Sequence, residues 1–147
     1  MTGAVLFACT QNAVRSPMAA ALLRAFRPGL TVESAGLFPG DPDYLMMAVM
    51  AELGHDLSVH TPHTFERFKP GHFMLVVSLS PEAHHRALEW TRAARTPVEY
   101  WPTEDATAVE GDREQRLSAY RAVRDALHAR IKSRFATHLS FPAERTQ

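Results

Sequence analysis

Short apolar runs alternate with segments of helical spacing along this chain. Continuous apolar runs cover residues 5–9 and 73–79, and two more mixed segments, 30–35 and 96–101, are also predicted as strands. Continuous apolar runs of this length are typical of strands that are buried on both faces of a parallel sheet. Because helical segments separate the runs, the pattern predicts right-handed crossovers and an α/β fold with one parallel sheet.

Four helices and one further short helical segment are predicted between and after these strands. Ser16-Pro17 and Ser80-Pro81 each predict a helix start, since serine caps the first turn and proline lacks an N–H that would be unpaired there. A second helix is expected over about 43–53 and a short one over 64–68, and the third extends to about residue 90. The fourth starts near residue 112, with its apolar face at Leu117, Tyr120, Leu127, Ile131 and Phe135. Beyond about residue 138 the tail is expected to fray.

Length and composition predict a single domain over residues 1–147. The chain is 46% hydrophobic, which is enough for a core of its own. Sixteen basic and sixteen acidic side chains cancel, so we expect neither a nucleic-acid nor a membrane-surface partner, and no apolar stretch is long enough to span a bilayer. The one cysteine allows no intrachain disulfide, which favours the reducing cytoplasm.

That cysteine lies in the most informative stretch of the chain. Cys9 ends the first apolar run, Arg15 follows six positions later, and Ser16-Pro17 then begins a helix. The N–H groups at a helix start have no intrahelical partner, so they form a cradle for an anion. A thiol at the base of such a cradle and a guanidinium at its rim indicate a nucleophile that faces a tetrahedral oxyanion.

Cys-x5-Arg-Ser directly after an N-terminal strand, with Asn12 inside it and Pro-Met-Ala after it, resembles the phosphate loop of low-molecular-weight protein tyrosine phosphatases. Thioredoxin-linked arsenate reductases share that loop. Ser34-Ala35-Gly36 after the second strand adds to the resemblance. It spans nearly the whole chain and implies a three-layer, flavodoxin-like fold whose four parallel strands have the order 2-1-3-4.

The loop residues support phosphoryl chemistry. The thiolate of Cys9 is the nucleophile, and backbone N–H groups together with the Arg15 charge favour this anionic form. The same donors would hold the phosphoryl oxygens, two of them bidentately on Arg15. The resemblance implies that Ser16 donates to the sulfur and that Asn12 braces the loop. The predicted substrate-binding positions of the loop are Thr10, Gln11, Asn12, Ala13, Val14 and Ser16.

A carboxylic acid must protonate the departing oxygen. The resemblance assigns this acid to the loop after the fourth strand, where the family has an Asp-Pro pair. Asp105 matches the acid, although Ala106 replaces the proline, and Glu104 is the alternative one position away. Asp105 would act as acid in the first step and as base for water in the second. Four further carboxylates are interpreted as cap or surface charges: Asp41, Asp43, Asp112 and Asp125.

Three departures from the family pattern bear on specificity and redox chemistry. Gln11 stands where the family usually has glycine, a strained choice if that position needs a positive φ. Val14 replaces a second cysteine, which leaves Cys9 open to over-oxidation or to capping by an external thiol. Ala106 and Thr107 cannot form an aromatic wall, so Phe38 is the candidate for stacking on a phenyl ring, with a core position as its alternative.

Histidines raise the possibility of a metal site. His55, His60 and His63 lie close together in the sequence, and His84 and His85 follow later. No HExxH motif or Cys/His spacing accompanies them, so we interpret the first three as loop histidines and expect neither a metal nor a cofactor.

The sequence therefore predicts a cysteine-dependent phosphomonoesterase that passes through a phosphocysteine. Its substrate would be a phosphotyrosine protein or a small aryl phosphate. Two alternatives stay open. One is arsenate reduction that uses an external small thiol, since the relay cysteines of the thioredoxin-linked enzymes have no counterpart here. The other is a non-catalytic module that binds phosphate or a phosphoprotein.

Overall fold

A computed structural model describes residues 3–136 as four parallel strands and four α-helices. The strands are β1 (Ala4–Cys9), β2 (Thr31–Gly36), β3 (Leu75–Ser78) and β4 (Val98–Tyr100). They have the order β2-β1-β3-β4, and all three pairings are parallel. The helices are α1 (Arg15–Phe26), α2 (Tyr44–Ala51), α3 (Pro81–Trp90) and α4 (Arg113–Arg134). The predicted fold class and strand order are confirmed.

Alternate side chains of β1 reach two separate parts of the core. Val5, Phe7 and Cys9 pack in a cluster with α1, α2 and α4, whereas Leu6 and Ala8 pack on the other face against α3. Successive side chains of a strand point to opposite faces, so a central strand must be apolar throughout. All six residues of β1 are buried, which makes it the centre of a three-layer structure.

Three of the helix starts follow from capping side chains. Asp43 accepts a hydrogen bond from the backbone of Met46, Ser80 accepts one from Ala83, and Asp112 forms a reciprocal capping box with Gln115. These outcomes confirm Ser80 as a cap, and they place Asp43 and Asp112 at caps as the sequence suggested.

The predicted cap at Ser16 is wrong. Helix α1 begins at Arg15, two residues before Pro17, and its N-cap residue is Val14, whose side chain makes no capping hydrogen bond. Ser16 lies inside the first turn and is fully buried, and its hydroxyl faces the sulfur of Cys9 instead. A tertiary partner has replaced the local one.

Other boundaries shift by one or two residues. Helix α2 ends at Ala51, and β4 covers only 98–100 of the predicted 96–101. The predicted short helix is a 3₁₀ turn over Phe65–Arg67, and two more 3₁₀ turns cover Pro70–His72 and Ala106–Ala108. Among residues 3–136, no helix is both long and apolar enough to cross a membrane. The tail expected to fray beyond residue 138 lies outside the described residues.

Candidate active site

A cavity of about 640 Å³ opens where β1 ends, at the carboxyl edge of the sheet. Ligands of open parallel sheets bind at this edge. The cavity brings together Cys9, Arg15 and Asp105, which come from the end of β1, the start of α1 and the loop after β4. The other residues that line it are Thr10, Gln11, Ala13, Val14, Asp41, Pro42, Asp43, Glu82 and Thr107.

The backbone of the loop between β1 and α1 turns its carbonyl groups outward. The Thr10 carbonyl accepts from the N–H of Leu37 at 2.9 Å, and the Gln11 carbonyl accepts from the N–H of Gly40 at 2.9 Å. The Asn12 carbonyl bonds to Nε2 of His60 at 2.8 Å. In a trans peptide the following N–H points opposite to the carbonyl. Three consecutive N–H groups are therefore directed away from these partners, as an anion cradle requires.

A buried hydrogen-bond chain reaches the sulfur of Cys9. The Ser16 hydroxyl lies 3.0 Å from Sγ of Cys9 and accepts from Nδ2 of Asn12 at 2.8 Å. Asn12 supplies its own hydrogen, so the hydroxyl hydrogen of Ser16 can go to the sulfur at 3.0 Å or to the Ala35 carbonyl at 3.5 Å, and the shorter distance favours the sulfur. Such a bond stabilises a thiolate, which can accept a hydrogen bond but cannot donate one.

Asn12 also fixes the shape of the loop. Its φ is 54°, and its Oδ1 accepts from the backbone N–H of His63 at 3.0 Å. Asparagine tolerates this left-handed conformation better than most residues. Gln11, by contrast, has no positive φ, so the strain expected at that position is absent. The left-handed residue of the loop lies one position later than the sequence argument considered.

Gly36 allows the end of β2 to approach this loop closely. A Cβ at Gly36 would lie 2.7 Å from the backbone nitrogen of Asn12 and 2.9 Å from the carbonyl carbon of Gln11. Real Cβ atoms do not approach backbone this closely, so a larger residue would push the loop out of place. The glycine of the Ser-Ala-Gly triplet noted in the sequence thus allows β2 to pack directly against the loop.

Arg15 links the phosphate loop to the loop after β4, which carries Asp105 and is called the acid loop below. Its Nη1 donates to the backbone carbonyl of Thr103 at 3.0 Å, and the side chain is half-buried in the cavity wall. As the first residue of α1, it adds its charge to the partial positive charge of a helix start. The guanidinium charge and the helix start both favour the binding of an anion at this point.

Asp105 reaches the cavity from the loop after β4. It caps the 3₁₀ turn over Ala106–Ala108, and its Oδ1 accepts from Thr107 twice, at 3.0 Å from the backbone and at 2.6 Å from the hydroxyl. The turn leaves its carboxylate exposed at the cavity. Glu104 lines a neighbouring groove of about 390 Å³ against α4 and is not among the residues that line the cavity.

Phe38 is not among the residues that line the cavity. It follows β2 and is 50% exposed, and its backbone N–H bonds to the Thr10 carbonyl at 3.3 Å. The structure therefore places it beside the phosphate loop without a contact to the nucleophile. Because it is half-exposed, the alternative that Phe38 is a core residue is wrong.

Four cavity residues with polar side chains were not assigned a functional role from the sequence. Glu82 and Thr107 received no role, and Asp41 and Asp43 were interpreted as cap or surface charges. The available signal was topological, since all four follow strands at the carboxyl edge of the sheet. Asp43 is both a cap and a cavity residue, and its Oδ2 accepts from the hydroxyl of Tyr120 at 2.7 Å. Burial, together with this bond, raises the pKa of Tyr120 above its ordinary value, so Tyr120 remains a donor.

The loop histidines support the site through the backbone. Burial lowers the pKa of His60, although its bond to the Asn12 carbonyl opposes that change. The imidazole is therefore neutral at physiological pH and can donate through Nε2 to that carbonyl. Within residues 3–136, no group of three or more His, Cys, Asp or Glu side chains has the arrangement of a metal site.

A thiol, a guanidinium and a carboxylate around an anion cradle, on a sheet of this order, define a phosphatase-type α/β domain. The family model described as low molecular weight phosphotyrosine protein phosphatase matches residues 4–140, and the chain belongs to this family. The family match supports an enzyme of the phosphatase class.

Two curated relatives show the range of the family. A probable low molecular weight protein-tyrosine-phosphatase, EpsP of Ralstonia solanacearum, is 45% identical over 65 residues, which cover 41% of this chain and 43% of that protein. The match thus spans less than half of that relative. A glutaredoxin arsenate reductase of Synechocystis is 29% identical over 133 residues, covering 90% of this chain and 95% of that protein.

The fold is also similar to that of a solved enzyme. The crystal structure of the tyrosine phosphatase Wzb from Escherichia coli K30, in complex with sulphate, aligns with a TM-score of 0.77. The alignment covers 95% of this chain and 99% of that one, at 21% sequence identity. Identity this low shows a shared fold and carries no argument about substrate.

Proposed function

We propose that this protein is a cysteine-dependent phosphomonoesterase that works in two steps through a phosphocysteine. One observation carries the proposal: Cys9, Arg15 and Asp105 line a single cavity together with the loop between β1 and α1. The three side chains correspond to the nucleophile, the anion clamp and the proton donor that phosphoryl transfer to a thiol requires.

In the first step the thiolate of Cys9 attacks phosphorus, and the bond from phosphorus to the ester oxygen breaks. Asp105 gives its proton to that oxygen, which leaves as an alcohol or phenol. Arg15 and the loop N–H groups hold the phosphoryl oxygens, where charge is greatest in the transition state. Thiolate is also the leaving group of the second step, so the Ser16 hydroxyl, 3.0 Å from the sulfur, favours both steps.

In the second step water attacks the phosphorus of the phosphocysteine. The carboxylate of Asp105 takes a proton from that water, the phosphorus–sulfur bond breaks, and inorganic phosphate leaves the thiolate of Cys9 behind. Asp105 returns to its protonated form, so the cycle closes without a redox partner or a metal.

The substrate we propose is a phosphotyrosine protein or a small aryl phosphate. Phe38 beside the phosphate loop remains the aromatic candidate for contact with the phenyl ring. The single cysteine supports a reducing compartment, which favours the cytoplasm as the site of action.

An aryl-phosphate assay across pH tests this mechanism. Cys9→Ser is expected to abolish turnover, because a serine hydroxyl is a much weaker nucleophile. Asp105→Asn is expected to lower kcat/KM about 100-fold or more with phenyl phosphate, within the range for a lost general acid. The loss should be smaller with p-nitrophenyl phosphate, whose phenolate leaves without a proton.

Glu104→Gln is the matched control, because it removes a carboxylate one residue away that lines the neighbouring groove. Retained hydrolysis in Cys9→Ser would remove the mechanism. A large loss in Glu104→Gln together with an unchanged Asp105→Asn would move the acid by one residue. Binding of vanadate by wild type without turnover of either aryl phosphate would favour the non-catalytic module.

Arsenate reduction is a second candidate, supported by the Synechocystis relative, whose match covers most of both chains. Arsenate has the shape and charge of phosphate, so the thiolate of Cys9 could displace one of its hydroxyl groups, which takes a proton from Asp105 and leaves as water, to form a cysteine–arsenate adduct. A second thiol would attack the Cys9 sulfur, which releases arsenite and leaves a mixed disulfide at Cys9. A further thiol would have to reduce that disulfide. The sequence contains one cysteine, so the other thiols must come from outside.

The test for this second candidate is arsenite production from arsenate with glutathione present. Production that needs both Cys9 and the added thiol would establish it. Absence of arsenite in a preparation that hydrolyses aryl phosphate would exclude it.

A further inference from the structure

The cavity is strongly acidic around its phosphate loop. Four carboxylates line it, whereas Arg15 is the one cationic side chain among the described residues of its wall. The carboxylates are Asp41, Asp43, Glu82 and Asp105. A phosphomonoester carries about two negative charges at neutral pH, so these carboxylates oppose the binding of a small dianionic ester. An active site that turns over phosphomonoesters needs some positive charge to offset this repulsion.

One carboxylate, Asp105, is accounted for by catalysis. The other three, which we call the acidic rim, are Asp41, Asp43 and Glu82. They come from two segments, the loop between β2 and α2 and the first turn of α3. Because β2 and β3 lie on opposite sides of β1, the acidic rim borders the phosphate loop on two sides.

Hydrogen bonds position the acidic rim, and two of them are made by the phosphate loop. The Thr10 hydroxyl lies 3.3 Å from Oε1 of Glu82, and the N–H of Gly40, just before Asp41, donates to the Gln11 carbonyl at 2.9 Å. Asp43 is held by the N–H of Met46 and by Tyr120. Both carboxylate oxygens of Asp43 are thus fixed, and a fixed charge favours an oppositely charged partner more than a mobile one does, since less side-chain freedom is lost on binding.

The mouth of the cavity leaves room for the substrate peptide on either side of its phosphorylated residue. Asp41 and Glu82 are exposed, and after Asp105 the acid loop continues with a buried alanine and a threonine. Neither is an aromatic residue that could wall in the substrate. A flanking residue of a peptide could therefore lie over Asp41 or Glu82 while its phosphoryl group occupies the cradle.

We propose that the acidic rim selects phosphomonoesters carried on a positively charged segment, such as a phosphotyrosine peptide flanked by lysine or arginine. The proposal rests on the proposed phosphatase function and adds its substrate class. Opposite charges on the two sides of a binding surface contribute to specificity and to the association rate more than to affinity. Their effect is screened by salt, which gives the proposal a distinct signature.

The experiment compares two phosphotyrosine peptides of equal length, one with basic flanks and one with acidic flanks, alongside p-nitrophenyl phosphate. We expect kcat/KM for the basic peptide to exceed that for the acidic peptide by about tenfold or more at low salt, given two to fivefold for each exposed charge pair. Rising salt should lower kcat/KM for the basic peptide and raise it for the acidic one. These opposite trends distinguish charge selection from a general effect of salt on the enzyme.

Two rim charges can be removed without changing shape, in the double variant Asp41→Asn with Glu82→Gln. The preference for the basic peptide should fall by roughly fourfold or more. KM for the acidic peptide should improve, a gain that a misfolded protein could not show. Glu89→Gln is the matched control, because it removes the same charge from the opposite end of α3, away from the cavity. The control should keep the preference of wild type.

Equal kcat/KM for the two peptides, with p-nitrophenyl phosphate hydrolysed through Cys9, would overturn the role of the acidic rim and leave the phosphatase function standing. A preference that is equally lost in Glu89→Gln would also overturn it, since net charge alone would then explain the effect. If wild type turns over none of the three substrates, the phosphatase function fails, and the substrate class fails with it.

Discussion

Asn12 is the residue on which the geometry of the phosphate loop most depends. It is fully buried, it has a φ of 54°, and both ends of its side-chain amide are used. Nδ2 donates to Ser16 beside the nucleophile, and Oδ1 accepts from the backbone of His63. One side chain thus joins Ser16, which lies beside the sulfur of Cys9, to the loop that contains His63.

Two variants of Asn12 separate its backbone role from its side-chain role. Asn12→Ala loses both hydrogen bonds and places a poorly suited residue at positive φ, so we expect the free energy of unfolding to fall by about 3 kcal/mol. Asn12→Gly loses the same bonds but accepts the conformation, so its loss should be about 1 kcal/mol smaller. Urea unfolding measures both values. Equal stability of the two variants would mean that the left-handed conformation costs nothing here.

At the scale of elements, an ion-pair cluster ties α2 to α4. Glu52, the C-cap residue of α2, bonds to Arg121 at 2.8 Å and to Arg124 at 2.7 Å, and both arginines lie on α4. Hydrogen bonds from Arg121 and then Arg124 lower the pKa of Glu52 from 4.5 to about 2. Helix α2 follows the loop that carries two carboxylates of the acidic rim, so this cluster bears on the cavity indirectly.

The pKa of Glu52 predicts how stability changes in acid. Between about pH 4.5 and 2 the unfolded chain binds a proton at Glu52 that the folded protein does not, so acid favours unfolding. The stabilising contribution is complete above pH 4.5 and is lost as the pH falls towards 2. Glu52→Gln should therefore show a flatter decline in stability over this interval, as measured by denaturant unfolding at several pH values.

Glu110→Gln is a suitable control for that experiment, since Glu110 is an exposed carboxylate in the loop before α4. Its decline in acid should follow that of wild type. A Glu52→Gln variant that declines as steeply as wild type would show that the ion pairs with α4 contribute no pH dependence.

Element boundaries show where local signals suffice. Ser80 and Asp112 were recognisable as caps because a cap bonds to residues three positions away, and the structure has those bonds. Ser16 carries the same local signal, yet its hydroxyl bonds to Cys9 and Asn12 instead. The resemblance to the family implied the bond from Ser16 to Cys9, whereas the local capping signal did not, and the position of Cys9 at the end of β1 decided between them.

At the scale of the whole molecule, three rings join separate parts of the core. Phe7 of β1 meets Trp101, just after β4, at 5.9 Å between ring centroids, and Trp101 meets Phe135 at 6.3 Å. All three side chains are buried. Phe135 directly follows α4, so this cluster fixes the helix against the strand that leads into the acid loop.

Truncation of Phe135 tests how much that cluster contributes. Phe135→Ala should lower the free energy of unfolding by about 3–5 kcal/mol, because it leaves a cavity between α4 and the sheet. Phe38→Ala removes the same ring from a half-exposed position and should change stability by only about 0.5 kcal/mol. Thermal unfolding followed by circular dichroism measures both. A loss below about 1 kcal/mol for Phe135→Ala would mean that the core closes over the gap.

The strand order came from the resemblance to the family, whereas the sequence by itself was sufficient for the alternation of strands and helices and for the phosphate loop from Cys9 to Ser16. Each depends on spacing within a short segment or on a loop motif whose residues are adjacent in the chain. The tertiary structure decided which carboxylates face the cavity, that Ser16 does not cap α1, and that the left-handed residue of the loop is Asn12 instead of Gln11. Those features arise where the ends of β1, β2, β3 and β4 meet, and the distances between such ends depend on how the whole sheet packs.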